Sequence, residues 1–544
     1  MTPLTPTEGG HRWDVAIVGA GFAGSILARA LASRGRSVLL LERARHPRFA
    51  LGESTTPLAN LSLERLAARH GCPDLDELAS WGRWTSRRSD LRCGLKRGFT
   101  FLHHRPGEPW RRGDGRLEIA ASPNEHVADT HWLRTDIDLD LVRRAAAAGV
   151  RVCEGHAVRE IELRSNAVVL RGDRAGGSWH ASVRLVVDAT GGALASHLGA
   201  GSGAIGGAEH RAVLAAHLTE PPLLENATDG AFVDDGDYPA ERAAVHHLIA
   251  DGWVWQLRFD HGPASVGLVL DRRRLDAATL AWAARDPQGV AEDRLGRYPT
   301  LARQFLAPEA APVEPWRFIA QIGRRAAMAV GRRWLLLPHA YAFFDPMFST
   351  GIGWSLRGVE RLAELLGDGP AEALDEATES EAARRYGALL AREADHLRSL
   401  VDLAWATFDH REGFAAVASL YTVAAAWCES QERLCPTAAD PWRGFLGADD
   451  AVLQSLVSEA ADRVARGDLD PLRPWLMQAA ASRDLVGLDR CPQPHRLPVD
   501  LDVLIERSHL LGLDDAAIRA ALPRLRGQTP AIVAKRESSV SPGP

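Results

Sequence analysis

The chain has 544 residues, 46% hydrophobic and 25% charged, with a formal net charge of -6. Those are the values of a globular protein long enough for two or more domains around a large core, and the scattered basic residues argue against nucleic acid or an anionic membrane as its main partner. Six cysteines without a CxxC pair read as reduced thiols, residues 1–12 lack the apolar run of a signal peptide, and no window reaches the roughly 18–20 apolar residues of a membrane span, so the expectation is a soluble cytoplasmic protein.

In chain order, residues 13–19 (WDVAIVG) predict a buried parallel strand. GAGFAGSILARALASRGRS then opens a glycine turn into a helix, and SVLLLER at 37–43 is a second buried strand with Glu42 near its end. Strand, turn, helix and strand make a βαβ unit. Helices are expected at 55–80 and 137–148, and strands around 94–104 and 150–171. RLVVDATGG at 184–192 is again a strand entering a glycine turn. Between 209 and 330, β-like segments (VLAAHL, GWVWQLRFD, ASVGLVLD) alternate with helical ones. WLLLPHAYAFFDP then leads into STGIGWSLRGVERLAELLG, a strand-turn-helix returning to the nucleotide domain. Beyond about 370 the pattern is helical. The expected division is a discontinuous nucleotide domain (13–208 with 331–368), a substrate sheet domain (209–330) and a helical C-terminal region (369–527), with disordered ends at 1–12 and 528–544.

Gly19-x-Gly21-x-x-Gly24 is the first motif that carries chemistry. Gly19 allows the tight turn, Gly21 admits a pyrophosphate to the backbone, and Gly24 lets helix and strand pack closely. Glu42 stands where a carboxylate accepts hydrogen bonds from a ribose diol. NAD and FAD share this fingerprint. Asp188-Ala189-Thr190-Gly191-Gly192 resembles the second flavin-contacting turn of FAD oxidoreductases, and its order and separation from the two segments that follow point to FAD. Gly52-Glu53-Ser54 is similar to a segment that lies by the flavin in flavin-dependent halogenases. Arg134 and Asp136 resemble that superfamily's Arg-x-x-x-Asp element near the FAD phosphates, at a shorter spacing.

The halogenase resemblance becomes specific in Gly94-Leu95-Lys96-Arg97-Gly98-Phe99-Thr100-Phe101. This segment is similar to the family's lysine segment, which implies that Lys96 faces the substrate chamber and binds or captures hypohalous acid. An ammonium polarises that acid toward electrophilic halogen, and a lysine desolvated by aromatic neighbours has a lowered pKa. Asp345-Pro346-Met347-Phe348-Ser349-Thr350-Gly351-Ile352 resembles the family's turn beside the isoalloxazine. Its helix N-terminus suits a halide at Thr350 and Gly351, or the charge of reduced flavin; Ser349 is equally suited to capping the helix. Phe348 replaces the glutamate of the tryptophan-halogenating branch, and Pro338-His339 stands where many flavin hydroxylases carry Gly-Asp. Trp253-Val254-Trp255-Gln256-Leu257-Arg258 keeps both tryptophans of a Trp-x-Trp-x-Ile-Pro segment, with Leu257 in place of its isoleucine and Arg258 in place of its proline. Trp253, Trp255, Arg258 and Phe348 are the expected chamber residues, with Arg258 binding a substrate anion or pairing with Asp260.

The resemblance covers about residues 13–365. It implies an α/β protein: a glutathione-reductase-like FAD-binding Rossmann domain with a mixed-sheet substrate domain and a helical C-terminal region. The implied activity is halogenation of a phenol, pyrrole or indole through a flavin C4a-hydroperoxide and hypohalous acid, with the substrate free or bound to a carrier or peptide. The altered tryptophan segment leaves hydroxylation of an aromatic open, and a silent flavoprotein that binds a partner peptide is a third reading. The absence of a second GxGxxG implies that a separate flavin reductase supplies reduced FAD. No metal is expected, because His103-His104 and His246-His247 are adjacent pairs that cannot easily share one ion from a regular element.

Overall fold

A computed structural model describes residues 12–435, 440–491 and 495–525. The ends expected to be disordered, at 1–12 and 528–544, lie outside these residues apart from Arg12. A first sheet runs in the order Val330–Gly331, Trp334–Leu336, Gly177–Asp188, Arg12–Val18, Val38–Glu42, Arg151–Glu154, and all its neighbours but the first pair are parallel. Ala157–Leu163 and Val168–Arg174 extend Gly177–Asp188 as an antiparallel flap. Val15, Ile17, Leu39 and Leu41 are wholly buried, as expected of parallel strands covered on both faces. The helix Phe22–Ala32 packs against Arg134–Ala147 and Thr350–Gly367, which places three helix starts near the ends of the central strands. This is the Rossmann-like α/β fold that the glycine pattern predicts.

The second sheet runs Arg317–Ile319, Arg211–Leu218, Ala264–Asp271, Gly252–Arg258, Ala244–Ile249, Gly98–His103, Arg116–Ala120, Arg496–Leu497. Most of its pairs are antiparallel, and Gly98–His103 joins Ala244–Ile249 in parallel. Its strands therefore come from 98–120 and 496–497 as well as from 211–319. Side chains alternate along Gly252–Arg258: Trp253, Trp255 and Leu257 join the main core, whereas Val254 joins a second core under the helices between 277 and 305.

The C-terminal helices are tied to the rest of the fold by buried polar contacts. Arg361 and Glu393, both fully buried, form a bidentate pair between the helices Thr350–Gly367 and Glu381–Ala406. The hydroxyl of Tyr386 donates to the carbonyl of Leu336 at 2.7 Å. From the helix Arg411–Leu434, the Tyr421 hydroxyl donates to the Phe348 carbonyl at 3.1 Å. Among the described residues no helix is long and apolar enough to cross a membrane.

Candidate active site

The glycine turn divides into positions the protein needs and one it does not. A Cβ on Gly24 would lie 2.0 Å from the Gly19 carbonyl oxygen, and one on Gly19 (φ +106°) 2.5 Å from that of Ala189, so backbone packing alone excludes side chains there. A Cβ on Gly21 would meet only side-chain ends: Arg134 Nη2 at 3.4 Å, Arg48 Nη2 at 3.6 Å and Asp138 Oδ2 at 3.8 Å. Two guanidinium groups thus face the space above a helix N-terminus, a setting that suits a pyrophosphate. Glu42 accepts the Ala20 and Ala44 amides at 3.1 and 3.0 Å and pairs with Arg48 at 3.1 Å. Burial is the largest influence on this carboxyl and pushes it up, but Arg48 and the two amides hold it below its usual range.

Arg134 is held by Asp138 in two 2.9 Å hydrogen bonds and donates to the carbonyls of Leu51 and Gly52. The acid belonging to Arg134 is therefore one helical turn on, at the full Arg-x-x-x-Asp spacing. Asp136, expected in that role, instead pairs with exposed Arg92 at 2.6 Å.

Beyond the turn, several buried polar atoms lack a protein partner. Asp188 Oδ1 accepts the Thr190 amide at 2.7 Å and its hydroxyl at 2.6 Å, while Oδ2 accepts nothing. Ser54 Oγ, Arg324 Nε and His339 Nε2 are likewise unpartnered. Their neighbours connect them: the Cβ position of Gly191 lies 3.3 Å from Arg324 Nη2, and that of Gly351 lies 2.6 Å from His339 Nε2. Buried polar groups without partners are unfavourable, so the crevice fits a polar dinucleotide with hydroxyls and anionic oxygens. Ser349 takes a left-handed conformation (φ +51°) and its side chain does not cap the helix, contrary to the capping expectation. The strained residue turns the chain so that Thr350 and Gly351, both half-buried, start the helix beside His339, with Ile352 buried behind them. Asp345 holds this turn from inside, accepting the Met347 amide and the Trp405 indole N–H at 2.9 Å each.

Lys96 is fully buried. It ends the strand Cys93–Lys96, directly opposite Asp129 on Asp129–Trp132. Its Nζ donates to the Thr55 carbonyl at 2.6 Å and lies 4.3 Å from the centroid of the Phe99 ring. Asp129, also buried, accepts from Asn60 at 2.8 Å through Oδ1, and its Oδ2 has no partner. Burial drives the lysine pKa down and the aspartate pKa up, and each charge opposes the shift of the other. His131 and His246, both near Lys96, are kept neutral mainly by burial, each with its pKa down to about 3.

A cavity of about 160 Å³, separated from this lysine by the Phe99 ring, is lined by apolar side chains together with Glu64, Arg83, Glu429, Arg433 and Asp500. Phe99, Thr56 and Ile119 form one wall, Tyr421 and Glu429 of the helix Arg411–Leu434 another, and Leu485 and Leu504 a third. Phe348 lies beneath it, stacked on Tyr421 with centroids 4.4 Å apart. Burial raises the Glu429 pKa against the pull of Arg433, 2.7 Å away. Trp253 stacks near His246, and the Trp255 indole donates to Ser265, whose hydroxyl donates to Glu53. Arg258 does not share their side of the sheet. It turns to the opposite face, where it binds Glu241 at 2.8 Å and the Pro222 carbonyl, and Asp260 pairs with Arg242. The alternation of the strand separates it from both tryptophans, so neither expected role of Arg258 holds.

Sequence reasoning thus missed Asp129, Asp138, Arg324, Tyr421 and Glu429. Asp138 was visible as the acid four residues after Arg134; the others reach the site through long-range contacts that leave no local pattern.

Comparison with known proteins agrees with this geometry. Residues 14–140 match the family model described as FAD dependent oxidoreductase. The chain is similar to tetracycline 7-halogenase of Kitasatospora aureofaciens, 30% identical over 65% of this chain and 63% of that protein. It is also similar to monodechloroaminopyrrolnitrin halogenase PrnC of Pseudomonas fluorescens, 28% identical over 67% and 64%. The match therefore spans less than two thirds of either relative. Halogenase PltM, solved with phloroglucinol and FAD, shares the fold with a TM-score of 0.75 at 21% identity over 89% of this chain and 99% of that one. The chain thus carries a segment, residues 14–140, that matches an FAD dependent oxidoreductase model, and it shares the fold of halogenase PltM.

Proposed function

We propose that the protein halogenates an electron-rich aromatic ring of phenol, pyrrole or indole type, free or carrier-bound, with hypohalous acid directed by Lys96. The observation that carries this reading is a fully buried lysine one aromatic ring away from a cavity. Gly21, Arg134, Asp188, Gly191 and the start of the helix Thr350–Gly367 are the residues that suit FAD. When bound and reduced, the flavin would supply the electrons that activate dioxygen, and the activated oxygen would oxidise halide; a separate reductase would supply reduced FAD. Thr350 and Gly351 suit the halide.

Lys96 keeps one N–H on Thr55 and has others for hypohalous acid. Hydrogen bonding to the acid's oxygen leaves the halogen electron-poor. The ring carbon bonds to the halogen as the halogen–oxygen bond breaks, and the oxygen takes the Lys96 proton and leaves as water. Because burial lowers the lysine pKa, the neutral amine is an accessible state and takes the ring proton back. Phe99, Ile119, Tyr421, Leu485 and Leu504 hold the arene. The arginine that replaces the family proline lies on the back of the strand, so the face of both tryptophans differs from the family segment only in Leu257 for isoleucine, which favours halogenation over direct hydroxylation.

The test combines purified protein, FAD, a flavin reductase, NADH, oxygen and bromide with a panel of phenols, pyrroles and indoles, read by mass spectrometry. Brominated arene is the expected product. Products gaining oxygen alone would replace this reading with a monooxygenase.

A further inference from the structure

The flavin crevice holds a cation that protein pairing leaves over. Arg324 begins the two-residue strand Arg324–Arg325, which pairs with Ala342–Phe343. Its neighbour Arg325 binds Asp395 at 2.6 Å, but Arg324 forms no ion pair among the described residues. Its Nη2 donates to the His339 carbonyl at 3.0 Å, its plane rests 5.2 Å from the Phe343 centroid, and Nε is buried without an acceptor. Burial lowers its pKa to about 10 despite the pull of Asp188, which leaves it cationic at neutral pH. A largely desolvated guanidinium without an anion is unfavourable. Nη2 and Nε lie 3.3 and 3.2 Å from the Cβ positions that Gly191 and Gly192 leave empty, so its spare donors border the crevice.

His339 supplies the second observation. Its Nε2 is buried without a partner beside the start of the helix Thr350–Gly367. Burial, Arg324 and Arg134 together hold its pKa down to about 3. The ring is therefore neutral and adds a hydrogen-bonding atom without competing for the anion.

We propose that Arg324, with neutral His339 beside it, is the anion-binding subsite for the cofactor, taking an anionic oxygen of FAD at its pyrophosphate or on its reduced ring. This deepens the FAD reading and rests on it. The test titrates oxidised FAD into wild type, Arg324→Met and Arg324→Lys by flavin fluorescence. It also measures the two-electron midpoint potential of bound FAD by equilibration with a reference dye. Arg324→Met is expected to weaken FAD at least tenfold in one or both redox states, and Arg324→Lys to recover most of the loss. Equal weakening of both states assigns the oxygen to the pyrophosphate. Weakening of the reduced state alone assigns it to the ring and makes the potential more negative, by about 30 mV for each tenfold. Arg324→Met removes no ion-pair partner; should it fail to fold, Arg324→Gln carries the same comparison. A change below tenfold in both redox states would overturn the proposal. Wild-type protein that binds no FAD would instead overturn the cofactor reading.

Discussion

Replacing Lys96 with methionine keeps an unbranched side chain one atom shorter and removes a charge from a fully buried position of the site. Directly opposite residues on antiparallel strands have Cβ atoms about 5 Å apart, and opposite unit charges at about 5 Å attract by about 3 kcal/mol at an effective dielectric constant of about 20. Lys96→Met leaves the Asp129 carboxylate buried with Asn60 as its one side-chain donor, so the variant is expected to lose about 3 kcal/mol of stability. The double variant Lys96→Met/Asp129→Asn removes both charges and is expected to be more stable than the sum of the single changes predicts. The coupling of about 3 kcal/mol lies well outside the roughly 0.5 kcal/mol scatter of independent sites. Urea unfolding of the four proteins, followed by tryptophan fluorescence with FAD absent, gives this cycle. Additive single effects would refute the claim that the two charges support each other.

Asp129→Asn alone removes the charge that holds the Lys96 pKa up, leaving burial to lower it further. Protonated lysine is lost as pH rises through its pKa, so the alkaline limb of halogenation is expected to move to lower pH; an unmoved limb in a pH–rate profile would contradict the role of the ammonium. Gly21→Val is expected to fold, since its Cβ meets only mobile side-chain ends, but to purify without flavin colour. Gly24→Ala, whose Cβ would lie 2.0 Å from a backbone oxygen, is expected to lose about 1–3 kcal/mol in thermal or urea melts through overpacking; a neutral Gly24→Ala would refute the close approach. Glu53 pairs with His217 at 2.7 Å and raises its pKa despite burial. That stabilisation is full below the unfolded histidine pKa and is lost as pH rises through the raised folded value. Glu53→Gln should therefore flatten the stability–pH curve across that window, and an unchanged curve in melts at stepped pH would remove this pair from the account.

The local parts of the site were legible because they are local. Gly19, Gly21, Gly24 and Glu42 lie in one βαβ unit, and the turn from Asp345 to Ile352 is continuous in sequence. Lys96 was legible through its segment, but its partner was not: Asp129 reaches it only through the pairing of two short strands. The cavity is less legible still, since Thr56, Phe99, Tyr421 and Leu504 come from four distant parts of the chain. Periodicity showed the C-terminal helices as helices without showing which one delivers Tyr421 and Glu429. Arg258 misled because composition near the tryptophans was read without the alternation of the strand, which sends it to the other face. Arg324 carries no motif and is singled out only by what fails to pair with it.

The most direct test of the central claim compares wild type with Lys96→Met/Asp129→Asn, both loaded with FAD and supplied with flavin reductase, NADH, oxygen and bromide. The double variant keeps the site free of an unpaired buried charge, so its flavin content and oxygen consumption are expected to match wild type. Brominated arene from wild type and none from the double variant is the predicted result. Equal bromination by both proteins would contradict the assignment of Lys96 as the residue that directs the halogen.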